Sequence, residues 1–406
     1  MKNSSLQSPL PTKFYTPPLV QPSWKIGDLK NALQDPVQNL EKKLCKEYGT
    51  KYCILLDSAR SGIYLLSNAL GIKGNWLTTS FNYRPTAVLM NNLISSLSFT
   101  DIQPDFTMDA SSAEDAIKKS TEAIYVTHMF GKSADLTNLR KIADKHSLFL
   151  IENAVHLPHG IKIGNRIVGS WGDATLLSFN LDKPLGGLLG GALLTNRKDV
   201  WEKVKSFQLS NPKLSKVAER TSSSVIGHTL KPLLAPFINL LNSSNNDLII
   251  ETESFPMNYY RHYSPSKIHL LQAAVALARI TESNANNLSR SENAEYLHTA
   301  INHSPYIQLP TSTINQPHSY TYYPIAFTKI NRYSLASYYS KHGIETKWRY
   351  YPLHHQTDFK HCYSTCLDVT EKLWSRYLLL PIGQNITKKN LDYIARTTND
   401  YVNILP

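Results

Sequence analysis

The chain has 406 residues, 43 Lys and Arg against 31 Asp and Glu for a formal net charge of +12, and 42% apolar and 18% charged residues. Apolar content this high excludes a disordered chain, and no window approaches the roughly 18–20 uninterrupted apolar residues of a membrane span. The positive surplus suits an anionic partner; because the basic residues are scattered, with no block of like charges, a phosphorylated small molecule fits it as well as nucleic acid does, and a merely basic surface is the bland alternative.

The first 24 residues hold Pro9, Pro11, Pro17, Pro18 and Pro22 and no apolar core of the roughly 7–15 residues that a secretory signal requires. They predict an extended arm within residues 1–37 and a cytoplasmic protein. Cys45, Cys53, Cys362 and Cys366 are too few for a disulfide framework in a chain this long, so free thiols are expected.

Further along, Tyr52–Leu56 predicts a buried strand and Ser58–Leu70 a helix opened by a small polar residue, with further strands at Ser96–Thr100 and Ala123–Thr127. Ala134–His146 sets Leu136, Leu139, Ile142 and Ala143 at helical spacing ahead of a strand at Leu148–Glu152. Strand, helix and strand repeated in this way imply a parallel sheet covered by helices. Ala174–Phe179 and Gly190–Thr195 predict two more strands around the glycine-rich turn Lys183–Gly187, after which the rhythm stops.

Residues 213–254 differ in kind. Ser- and Asn-rich flanks surround the apolar run Leu230–Leu241, which is too short to span a bilayer. The segment is expected to be an inserted lid or dimer contact, or, in the sharper alternative, to make a peripheral membrane contact through 230–241. A helix from Ser266 to Ala285 then leads to a strand at Tyr320–Phe327, a helix at Ser334–His342 stopped by Gly343, a strand at Glu345–Arg349 and a closing helix at Lys388–Asn403. The predicted organisation is a large domain over 38–285, with its insertion at about 213–254, and a small C-terminal domain over 286–406.

The densest chemistry lies in Leu150–Asn196, LIENAVHLPHGIKIGNRIVGSWGDATLLSFNLDKPLGGLLGGALLTN. Lys183 falls five residues after Ser178, in a glycine-rich turn beyond a strand's carboxyl end, where open α/β sheets bind ligands. A lysine partly desolvated there has its pKa lowered and can attack an aldehyde as an amine; a solvated turn lysine is the bland alternative.

The series Ile151-Glu152-Asn153, His156, Gly172-Asp173, Ser178-Phe179, Lys183, Leu185 and Gly190-Gly191 resembles the DegT/DnrJ/EryC1/StrS family. The likeness continues upstream in Ser58-Ala59-Arg60-Ser61, Thr79-Ser80-Phe81-Asn82-Tyr83 and His128-Met129-Phe130-Gly131. Downstream it takes in Gln272-Ala273-Ala274, Gly343-Ile344-Glu345-Thr346, Tyr351-Pro352-Leu353-His354 and Leu380-Pro381, in the family's order. The resemblance implies an α/β protein of pyridoxal phosphate (PLP) fold type I, with a mostly parallel central sheet and a smaller C-terminal α/β domain. It further implies a homodimer that moves an amino group from glutamate or glutamine to a keto sugar nucleotide.

By the same resemblance Lys183 is the catalytic Schiff-base lysine. Ser178 and the amides of Ala59 and Arg60 at a helix start hold the cofactor phosphate, where free N–H groups and the helix dipole favour an anion. Tyr83 lies over the pyridine, His156 stands near the cofactor, Asn258 reaches the phosphate of the partner subunit's cofactor, and His354 and Tyr351 lie near the sugar. His354, His355, His361, Cys362 and Cys366 form the one metal-like cluster in the sequence, and the place of His354 near the sugar leads to no metal being expected.

Asn153 departs from the family, which usually carries Asp there to pair with the pyridine nitrogen. The amide keeps no charge for that pairing and is expected to donate a hydrogen bond to a neutral ring nitrogen, leaving a weaker electron sink. This makes an altered or inactive paralogue, serving as partner subunit or regulator, the alternative. PLP-dependent dehydration, which the family reaches by replacing the lysine with histidine, is disfavoured by Lys183.

Overall fold

The computed structural model describes residues 11, 13–16, 35–208, 265–383 and 385–404. Most of the expected extended arm, the insertion 213–254 with Leu230–Leu241, and Asn258 lie outside the described residues.

Helix α1 (Pro36–Tyr48) opens on a proline in its first turn, buries Leu40, Leu44 and Tyr48 at four-residue intervals and closes on Gly49 at φ 65°. The large sheet then builds through β1 (Tyr52–Leu56), α2 (Ala59–Leu70), β2 (Asn75–Thr79), α3 (Arg84–Leu93), β3 (Ser96–Thr100), α4 (Ala110–Asp115), β4 (Thr121–Thr127), α5 (Leu136–Lys145) and β5 (Phe149–Asn153). A short hairpin, β6 (Lys162–Ile163) and β7 (Arg166–Ile167), precedes β8 (Ala174–Ser178), β9 (Gly191–Thr195) and α6 (Lys198–Phe207). Helix α7 (Leu270–Ala300) leads to β10 (Ile307–Gln308), β11 (Tyr323–Phe327), α8 (Arg332–Lys341), β12 (Tyr363–Ser364), α9 (Asp368–Leu373), β13 (Tyr377–Leu380) and α10 (Lys388–Asn403).

Eight strands form the large sheet in the order β1-β9-β8-β5-β4-β2-β3-β12. From β8 to β12 all neighbours are parallel, whereas β9 runs against both β8 and β1. The sheet is therefore mixed and mostly parallel, and a smaller antiparallel sheet, β10-β11-β13, follows in the C-terminal part, as expected. Apolar clusters cover both faces of the large sheet, one including Leu77, Val126 and Leu177, the other Trp76, Tyr125 and Leu176. A third, with Phe81, Phe106 and Phe130 against Tyr323, Tyr350 and Tyr377, joins the small sheet to the large one.

Three expected elements change. The helix predicted over Ser266–Ala285 starts at Leu270, behind a capping box of His269 and Gln272, and runs on to Ala300. Its Ser- and Asn-rich middle is a poor helix former in isolation, but Ala294 and Leu297 are buried in the third cluster and carry the helix through. The strand predicted from Tyr320 begins only at Tyr323, because Tyr320 sits at φ 51°. Glu345–Arg349 is not a strand: Lys347 makes an isolated bridge to Leu379, and the Arg349 N–H bonds the Tyr377 hydroxyl at 2.7 Å instead of a neighbouring strand. The four cysteines are free thiols. Among the described residues no helix is long and apolar enough to cross a membrane.

Candidate active site

The carboxyl ends of β1, β2, β4, β5 and β8 open onto one pocket, each contributing residues at or just past its last position. Ser58, Ala59 and Arg60 follow β1, Asn82 and Tyr83 follow β2, Thr127 ends β4, Asn153 ends β5 and Ser178 ends β8. His156, Asp182 and Lys183 come from the loops beyond, and Arg349 and Tyr350 close the pocket from the C-terminal part. Ala59, Arg60, Tyr83, Asn153, His156, Ser178 and Lys183 are thus brought together from positions up to 124 residues apart.

Tyr351 and His354 are not among the lining residues. His354 bonds Ser80 Oγ through Nδ1 at 2.5 Å and Glu371 through Nε2 at 2.6 Å, and Tyr351 packs edge-on to Trp374 with ring centroids 5.3 Å apart. Asn82, Thr127, Asp182, Arg349 and Tyr350 are lining residues to which sequence reasoning assigned no role. The signal available for Asp182 and Arg349 was their charge, one beside the candidate lysine and the other among aromatics.

Side chains alternate along β5, so Glu152 and Asn153 face opposite ways. Glu152 accepts from the Gly169 N–H at 2.8 Å and from the Gly172 N–H, tying down the turn that feeds β8. It also meets His128 Nε2 at 3.1 Å; since His128 Nδ1 accepts from the Ala134 N–H, the ring proton is on Nε2 and points at the carboxylate. Asn153 turns to the pocket. Its Nδ2 donates to Thr127 Oγ1 at 3.1 Å, and Asn82 Nδ2 donates to the same oxygen at 3.2 Å. One of the two Asn153 amide hydrogens is therefore engaged by the protein, and its Oδ1, in a side chain only 5% exposed, has no protein partner.

The candidate lysine is closely held. Lys183 Nζ lies 3.0 Å from His156 Nε2 and 3.4 Å from Asp182 Oδ2. Burial, and then the charge of Lys183, hold His156 well below its ordinary pKa, so the ring is neutral and accepts at Nε2. Its proton is then on Nδ1, which is buried and unpartnered. Ser58 caps α2 by accepting from the Ser61 N–H, and Ser58, Ala59 and Arg60 at that helix start line the cavity. Gly191 makes the close approach possible: a Cβ there would stand 2.6 Å from the Ala59 nitrogen.

These features fit a flat, phosphorylated heteroaromatic cofactor. Asn153 and His156 line the same cavity, each with one buried atom that has no protein partner, the acceptor Oδ1 and the donor Nδ1, beside a helix N-terminus and an amine.

A family model described as the DegT/DnrJ/EryC1/StrS aminotransferase family matches residues 27–232 and 253–399. Among curated proteins, the dTDP-3-amino-3,6-dideoxy-alpha-D-galactopyranose transaminase of Aneurinibacillus thermoaerophilus is 26% identical over 371 residues, 90% of each chain. The fold is shared with Helicobacter pylori PseC, an aminotransferase involved in the biosynthesis of pseudoaminic acid, at a TM-score of 0.75 and 20% identity, over 97% of this chain and 100% of that one. It is also shared with E. coli GDP-4-keto-6-deoxy-D-mannose-3-dehydratase, solved with bound hydrated PLP, at a TM-score of 0.74 and 17% identity, over 94% and 98% of the two chains.

Proposed function

The chain belongs to the DegT/DnrJ/EryC1/StrS aminotransferase family, and from that premise we propose that it is a PLP-dependent enzyme moving an amino group from glutamate or glutamine onto a keto sugar nucleotide. The product would be an amino sugar of the kind built into surface polysaccharides. The observation that carries the reading is the pocket in which the Lys183 amine, 3.0 Å from His156 Nε2, shares its lining with Asn153 and His156, each of which keeps one buried polar atom without a protein partner. Support for the substrate class comes from the relatives' names, which are transaminases of dTDP- and UDP-linked sugars.

PLP, when bound, supplies an aldehyde for a lysine and a conjugated ring that takes up the electron pair of a deprotonated carbon. The protein supplies the rest. Lys183 would anchor the cofactor and carry the proton at the substrate carbon, with neutral His156 accepting from its amine and orienting it. Asn153 would face the ring nitrogen, Tyr83 would cover a ring face, and Ser178 with the Ala59 and Arg60 amides would bind the phosphate. Homodimerisation, with Asn258 reaching the partner's cofactor, belongs to the same reading.

An absorbance spectrum of the protein with PLP, taken before and after L-glutamate and followed by borohydride trapping and peptide mapping, tests it. We expect a visible band that maps to Lys183 and disappears with the amino donor. Lys183→Ala should abolish the band; a variant as yellow as the parent would remove Lys183 from its role. A band unmoved by glutamate and glutamine would favour the second reading, a paralogue that keeps the cofactor without transamination, for which uncharged Asn153 is the motivating residue.

A further inference from the structure

The turn that follows Tyr350 carries two adjacent histidines, and both reach one acid. His354 Nε2 lies 2.6 Å and His355 Nε2 2.7 Å from the same oxygen, Glu371 Oε1. The three ligand atoms all stand within 4.8 Å of one another, and among the described residues no other group of three or more histidine, cysteine and acidic side chains converges in this way. The sequence grouped these histidines with His361, Cys362 and Cys366; in the fold their partner is Glu371.

Each ligand is held by something besides the others. His354 Nδ1 is 2.5 Å from Ser80 Oγ, and that oxygen accepts from the His354 backbone N–H at 3.2 Å. Its two lone pairs allow it to accept from a protonated Nδ1 as well, so Ser80 suits the tautomer whose Nε2 binds an ion. The His355 ring sits edge-on to Tyr351 and Trp374, at centroid separations of 5.4 and 5.5 Å. Trp374 Nε1 donates to Glu371 Oε2 at 3.4 Å, which leaves Oε1 to the histidines.

The two segments are also anchored separately. The Leu353 N–H donates to the Ser80 carbonyl at 2.9 Å just past β2, whereas the Val369 and Thr370 N–H groups donate to Asp101 just past β3, both at 2.8 Å. Since β2 and β3 are parallel neighbours, the sheet presets the distance between the histidines and the acid.

We propose that His354, His355 and Glu371 form a binding site for a divalent cation of the zinc class, with solvent completing the coordination. Two imidazoles and a carboxylate are a zinc ligand set with one position left to water, whereas Mg2+ and Ca2+ take oxygen ligands. A tetrahedral zinc ion with bonds of about 2.0–2.2 Å keeps its ligand atoms roughly 3.4 Å apart. Glu371 Oε1 therefore has to draw back from each nitrogen by less than ~1 Å on that geometry. Its side chain, 43% exposed, has room to do so. None of the three residues lines the pocket, so the site does not depend on the reaction proposed there. A bound ion would clamp the turn that carries Tyr350, a pocket residue, to α9.

The test uses the full chain without an affinity tag, stripped with a chelator and titrated with Zn2+ against a chromogenic competitor. One Zn2+ should bind per chain and raise the melting temperature, whereas Mg2+ should do neither. His355→Gln and Glu371→Gln should each weaken Zn2+ binding by roughly 100-fold or more, beyond the cost of losing an outer partner, and Ser80→Ala by about tenfold. Melting temperatures of the stripped variants and the stripped parent separate a lost ligand from a folding defect. A Cys362→Ser, Cys366→Ser double variant should bind as the parent does.

A parent that takes up no Zn2+ overturns the proposal, and so does equal affinity in the parent and His355→Gln. Loss of binding in the cysteine double variant overturns it by moving the ion to the thiols. Uptake of several ions with one weak affinity overturns it as well, as scattered surface binding.

Discussion

At the residue scale, the end of β5 shows how adjacent side chains divide their work. Glu152 braces the turn into β8 while Asn153, one position on, presents an amide to the pocket. The sequence marked Asn153 as the departure from its family and led to the expectation that its amide N–H would meet the ring nitrogen. Thr127, 26 residues away, takes one of the two amide hydrogens, and Oδ1 is left buried without a protein partner. A carboxylate at this place would add a Coulomb attraction to a protonated ring nitrogen, which the amide lacks. Asn153→Asp should therefore raise the single-turnover rate with L-glutamate by roughly tenfold, the effect of about one pKa unit. A slower variant would show the amide to be adapted to the reaction. Lys183, Ser178 and His156 were legible because their spacing within one strand-turn-strand unit is local. Asp182 and Arg349 were not, since 167 residues separate the two halves of their ion pair.

At the scale of elements, patterns with a clean period were read correctly. The closing helix α10 buries Leu391, Ile394, Ala395, Thr398 and Val402 along one face and matches its predicted limits. Its N-terminus carries a reciprocal cap between Thr387 and Asn390. Thr387→Ala should cost about 1 kcal/mol in urea unfolding, the usual worth of such a cap. The PLP spectrum should be unchanged, because no residue of α10 lines the pocket. Strand β2, NWLTT, escaped detection because its polar letters hide a wholly buried element. Asn75 explains how it can be buried: it donates to Thr121 and accepts from Ser96 and Ser98, so its amide is satisfied inside the sheet. Whether a polar residue can be buried depends on partners that only the folded sheet supplies.

At the scale of the whole molecule, buried histidines set the response to acid. Burial first, and then the charge of Lys132, push His318 down to about 3, and His156 is likewise held well below its ordinary range. In the unfolded chain each ring takes up a proton below about pH 6.5. The unfolded state then binds more protons than the native state, so this stability is complete above that pH and is lost as pH falls toward the native values. For His318 the loss by pH 5 should be about 2 kcal/mol. The melting temperature of His318→Gln should accordingly fall less between pH 7 and pH 5 than that of the parent; parallel slopes would show that the ring titrates normally. By itself, the sequence determined the α/β class, most elements of the large sheet, and the loops in which the lysine, serine and histidine are found, because hydrophobic period and short-range spacing are local properties. Tertiary structure alone decided that β9 runs against the sheet, that Arg349 crosses from the C-terminal part to Asp182, and which buried atoms of the lining residues keep no protein partner. Each of these depends on distant segments meeting, and on the hydrogen bonds and charges that are satisfied or left over when they do.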